Sequence, residues 1–117
     1  MNMEPLTYSK IRQTRILIRG AGEQASGIAH RLYRSGFSVC LVETAAPLVV
    51  RRMVSFCEAI YEGEKTVEGI TAVRIADPEE IISVWASNKI PLLIDPDNNT
   101  RHFLKPHVVV DAILAKK

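Results

Sequence analysis

Four short apolar runs constrain this chain more than any other feature: residues 16–18 (ILI), 38–43 (SVCLVE, closed by an acid), 91–94 (PLLI) and 108–110 (VVV). A strand with one wet face alternates apolar and polar residues, whereas an uninterrupted run suits a strand covered on both faces. The stretches between the runs have a different period. In 23–35, Ala25, Ile28, Ala29 and Leu32 recur at i, i+3, i+4 and i+7, with His30, Arg31 and Arg34 off that stripe and Gly36 placed to stop the helix. Val49, Val50, Met53, Val54 and Cys57 recur with helical spacing after Pro47. Asp77-Pro78-Glu79-Glu80 opens a third helix with an N-cap, a proline in the first turn and acids at the positive end of the dipole. That helix is expected to reach about Ser87, burying Ile81, Ile82 and Trp85.

Residues 68–75 add a β-branched strand, and residues 95–99 (DPDNN) read as a turn. The order is strand, helix, strand, helix, strand, helix, strand, strand. Such alternation predicts an α/β fold with a mostly parallel sheet and helices on both faces, doubly wound in the Rossmann-like manner. At 117 residues one domain can bury a working core without staples. The expected plan is an N-terminal arm at 1–14 and one Rossmann-like domain at 15–117, short of a C-terminal half because no covering helix follows the last strand.

Between the first strand and the first helix the chain reads RGAGEQASG. Gly20-Ala21-Gly22-Glu23-Gln24-Ala25 fits G-x-G-x-x-G/A. In that pattern the first glycine permits the tight turn and the second lets backbone approach a pyrophosphate. The third small residue lets the helix lie close on the strand. Gly27 is expected to add a further close-packing position. Glu43 closes the second strand 18 residues beyond Ala25, near where such folds place a ribose-binding carboxylate. It favours an NAD-like or adenosine ligand over one with a 2′-phosphate. Glu23 argues the other way, because it puts negative charge beside the phosphate position or fills the helix terminus from within. Glycines that only tighten helix packing are the plainer alternative.

The remaining candidates are weaker. Arg51 and Arg52 fall off the apolar stripe; a solvated face is the simpler reading and contact with an anion or partner the sharper one. Cys40 and Cys57 sit in apolar surroundings and form no CxxC pair, so buried reduced thiols are expected. His30 has no acid placed to orient it, and His102 and His107 flank Pro106 without metal-ligand spacing. No Ser/His/Asp order and no Walker motif appears, so no catalytic constellation and no metal site is expected. A net charge of +2 does not argue for nucleic acid or an anionic membrane. The apolar runs are too short to span a bilayer, and the opening residues lack a leader signature; a cytoplasmic protein is expected.

Three stretches together, IRGAGEQASGIAHRLYRSGFSVCLVE, RRMVSFCEAIYEGEKTVEGITA and HVVVDAILAKK, resemble the N-terminal part of the YqeB family, accessory proteins of the selenium-dependent molybdenum hydroxylase system. The resemblance covers most of residues 16–75 and returns at 107–117. It rests on the RSGF turn, the paired arginines and the EAIYEG segment as well as the glycines. It implies a Rossmann-like region and a role in maturing hydroxylases related to xanthine dehydrogenase and purine hydroxylase. The hydroxylase apo-enzyme would be the partner, and the ligand an NAD-like dinucleotide or the molybdenum cofactor nucleotide. The family's glycine stretch commonly reads GAGDLA-S/T-G; Glu23 and Gln24 depart from it, so Gly20, Gly22 and Gly27 carry over more directly than Glu23. Members are longer, with a further glycine-rich segment downstream.

Three functional readings follow. The first is an accessory protein holding a nucleotide or cofactor at Gly20, Ala21, Gly22, Ala25, Gly27 and Glu43. The second is an interaction or regulatory module of the same fold that binds no nucleotide and forms a homo-oligomer through its bare last strand. The third, an NAD-dependent oxidoreductase fragment, lacks any placed acid or base.

Overall fold

The computed structural model describes residues 13–20, 22–43, 56, 59–95 and 99–112. Six strands form one sheet: β1 (Arg15–Arg19), β2 (Ser38–Glu43), β3 (Glu64–Val67), β4 (Ile70–Arg74), β5 (Ile90–Ile94) and β6 (Val108–Asp111). Their order across the sheet is β3-β4-β5-β2-β1-β6. All neighbours run parallel except β3 and β4, which form an antiparallel hairpin. The chain steps from β1 to β2 on one side, and β6 returns to the other side of β1, so the direction of progress reverses between β1 and β6.

The continuous apolar runs are explained by two clusters, one on each face. Ile16, Ile18, Val39, Leu41, Ile90 and Leu92 point to one face, where they meet Ala25 and Ala29 of α1 (Glu23–Arg34), Ala59 and Ile60 of α2 (Ala59–Glu62), and Phe56. Leu17, Cys40, Val42 and Leu93 point to the other, against Ile81 of α3 (Ile81–Ala86) and Leu104 of α4 (Thr100–Leu104). The one sole tryptophan, Trp85, packs on this second cluster and donates its indole N–H to the Val39 carbonyl at 2.8 Å.

Several expected elements are present at their expected places. The α1 stripe is buried or half-buried, Arg31 and Arg34 are exposed, and Gly36 takes the left-handed φ of 102° just past the C-cap Ser35. Asp77 caps a 3₁₀ turn at Pro78–Glu80 through a reciprocal capping box with Glu80, and α3 follows directly. Ile82 is a correction: it is 64% exposed, because adjacent helix residues point about 100° apart and α3 turns Ile81 inward. The expected helix over residues 47–57 lies outside the described residues except for Phe56, as do Cys57, Arg51 and Arg52. Cys40 is fully buried; burial, and then the Asp95 charge, push its thiol far above the usual range, so it stays protonated and inert.

Asp95, just past β5, anchors α4 from outside the helix. Its carboxylate accepts from the Thr100 N–H at 2.6 Å and the Asn99 N–H at 3.0 Å. Burial works to raise its pKa, but the bonds from Thr100 and Asn99 and the nearby Arg101 charge outweigh it and hold the carboxyl below its ordinary value. A carboxyl depressed on folding stabilises above its unfolded pKa, and that stability is lost as pH falls through the folded value. Asp95→Ala should therefore cost about 1 kcal/mol near neutral pH. In urea titrations the gap between wild type and variant should close as the solution is acidified below the ordinary carboxylate range.

Candidate functional site

The glycine turn lies at the carboxyl end of β1, with β2 on one side and β6 on the other. Gly20 N–H donates to the Val42 carbonyl at 2.6 Å, and Ala112 N–H donates to the Arg19 carbonyl at 2.9 Å, so both ladders continue past the strand into the turn. Gly20 has φ of +117°, and a Cβ there would stand 3.1 Å from the Ala112 carbonyl oxygen and 3.4 Å from the Ala25 Cβ. Its lack of a side chain is thus required by the fold itself. Ala25 is 1% exposed, as expected of the small residue that seats helix on strand.

Gly22 is different. It is the N-cap of α1 in ordinary extended backbone (φ −72°), it provides no side-chain cap, and a Cβ added to it would meet no described residue within 4 Å. The described residues thus leave room for a side chain at the N-terminus of this twelve-residue helix, whose first N–H groups receive no side-chain cap from Gly22. Gly27 corrects the expectation of close packing: it is exposed and its added Cβ also meets nothing within 4 Å. Ala21 and the side chain of Glu23 lie outside the described set.

Glu43 ends β2 at the same edge of the sheet but is only 7% exposed and already engaged within the protein. A ribose diol would have to share that carboxylate. Asp95 follows β5 there, its N–H donating to the Glu43 carbonyl at 2.8 Å. Asp111 ends β6 and pairs with Arg19 at 2.8 Å. The described rim thus carries three carboxylates, so a phosphate would be held by backbone N–H groups and the helix terminus. Asp111 and Ala112, which line the turn beside Gly20, were legible only as residues following an apolar run. Among the described residues no cluster of His, Cys, Asp and Glu could hold a metal ion. At the opposite end of the strands a hollow of about 250 Å³ is lined by Tyr33, Arg34, Phe37, Ser38, Trp85 and Asn88, remote from the glycine turn.

No helix among the described residues is long and apolar enough to cross a membrane. No family model matches the chain, and no solved structure does. The chain is 45% identical, over 102 residues and 87% of its length, to a protein of Escherichia coli (strain K12) described as uncharacterized protein YqeB. It spans only 19% of that relative. The match supports membership of the YqeB family, as a chain corresponding to about a fifth of that relative's length.

Proposed function

We propose that the chain is a Rossmann-like, doubly wound unit of an accessory protein for selenium-dependent molybdenum hydroxylases, and that its Gly20–Gly22 turn holds a nucleotide or the nucleotide end of the molybdenum cofactor. Open α/β sheets bind ligands outside the carboxyl ends of their strands, where the strand order reverses. The observation that carries the reading is Gly22: it stands at that reversal, at the N-terminus of α1, with no described residue within 4 Å of where its Cβ would be. The ligand's phosphate would lie against the N–H groups of the first α1 turn. The maturation role, with a hydroxylase apo-enzyme as partner, rests on the family resemblance.

A thermal-shift panel of NAD, NADH, NADPH, ATP, S-adenosylmethionine and a molybdopterin nucleotide tests the site. A ligand at about a hundred times its dissociation constant stabilises by about 2.7 kcal/mol. In a domain of this size that raises Tm by roughly 10 °C. Gly22→Val should abolish the rise while leaving the fold intact, because the position is open and its backbone unstrained. No rise with any of the six ligands would favour the interaction-module reading, which the exposed β6 also supports.

A further inference from the structure

We propose that the outer edge of β6 is a self-interface, through which two copies of the chain pair antiparallel over residues 107–111 about a two-fold axis at Val109. This goes beyond the nucleotide reading and does not depend on it.

The two edges of the sheet are built differently. β3, at one edge, carries Glu64, Lys65 and Thr66 and exposes Glu64 and Thr66. Charges on an edge strand discourage pairing with another chain. β6, at the other edge, has three consecutive valines, with Val108 46% and Val109 49% exposed. Val108 is in register with Ile16 and Val109 with Leu17, which belong to opposite faces. The edge is therefore apolar above and below a backbone that no described strand pairs on its outer side, and nothing on β6 itself blunts it before Asp111.

The segment is also complementary to itself. In an antiparallel pair centred on Val109, Val108 of one copy lies opposite Val110 of the other, and His107 lies opposite Asp111. His107 Nδ1 accepts the Arg15 N–H at 2.9 Å. A neutral imidazole accepting at Nδ1 carries its proton on Nε2, which makes Nε2 a donor. Asp111 brings a carboxylate, 58% exposed, whose oxygens accept several bonds beside the one from Arg19. Pairing thus places donor against acceptor twice, once at each end, and valine against valine between them. An isologous contact of this kind closes on itself as a dimer.

Size-exclusion chromatography with light scattering over a concentration series of the 117-residue chain reads the outcome. The apparent mass should double as concentration rises, whereas V109K should keep the monomer mass with an unchanged circular dichroism spectrum. The register is tested separately in a Cys57→Ser background. There V109C should form a disulfide-linked dimer on mild oxidation, because each Val109 faces its own symmetry mate, and V108C should cross-link far less. A monomer at every concentration, a dimer that persists in V109K, or equal cross-linking of the two cysteine variants overturns the proposal.

Discussion

Replacing Phe56 with alanine should lower the unfolding free energy by about 3–5 kcal/mol, the cost of truncating a fully buried aromatic side chain. Phe56 is completely inaccessible and is the largest fully buried side chain among the described residues. It joins Ala25 and Ala29 of α1 to Ala59 and Ile60 of α2 in the cluster on one sheet face. Its backbone is pinned as well: the Phe56 N–H donates to the Ser26 hydroxyl at 2.7 Å, and Ser26 is 2% exposed. Since a whole domain is stable by only about 5–15 kcal/mol, the variant should be close to unfolded at room temperature in modest urea. Ser26→Ala, which leaves the same N–H buried without its partner, should cost a smaller amount, about 1–3 kcal/mol. Denaturant titrations of both variants read the order, and a Phe56→Ala loss no larger than that of Ser26→Ala would contradict the packing described.

Gly20→Ala should cost about 2–3 kcal/mol, from a side chain held at a φ it rarely adopts. The added Cβ would also press on the Ala112 carbonyl at 3.1 Å, a backbone atom that cannot turn aside. The expected Tm loss is on the order of 10 °C. The neighbouring Gly22→Val should be far milder, because that position has ordinary φ and open space. The contrast separates the two glycines of one motif: the first serves the junction of β1, β6 and α1, and the second is not required by any described packing contact.

The motif assigns the turn to its first glycine and ligand approach to its second, but it could not show that Gly20 is fixed by Ala112, about 90 residues away in the chain. Local signals were enough for β1, α1, β2 and β5, whose apolar runs and helical stripe report directly on burial by two faces. They were enough for the Asp77 cap, because the capping box is made by residues adjacent in sequence. They missed β3, whose sequence EKTV is polar and short and becomes a strand only by pairing with β4 through the Glu68-Gly69 turn. Both turn residues have positive φ, 48° and 86°, the geometry of a two-residue hairpin. They missed α4 too, whose five residues are held by Asp95 from outside the helix. Ile82 was misplaced because it follows Ile81 directly, and adjacent helix residues do not share one buried face.

At the candidate site, Gly20, Gly22, Ala25 and Glu43 are brought to one end of the sheet, as the motif implied, but Glu43 is buried and engaged. The carboxylates of Asp95 and Asp111 share that rim only through the strand order, which places β5 and β6 on either side of the β2–β1 pair.

The role proposed for the Gly22 turn is to cradle a phosphate-bearing ligand. Its most direct test is an amide-resolved NMR titration of the chain with the ligand that raises Tm, or with NAD and the molybdopterin nucleotide in turn. Shifts should concentrate at the backbone N–H groups of Gly20, Gly22, Gln24 and Ala25 and be absent in Gly22→Val. Shifts confined to other surfaces, such as the Trp85 hollow, or none with any ligand, would contradict it and leave the glycines a packing role.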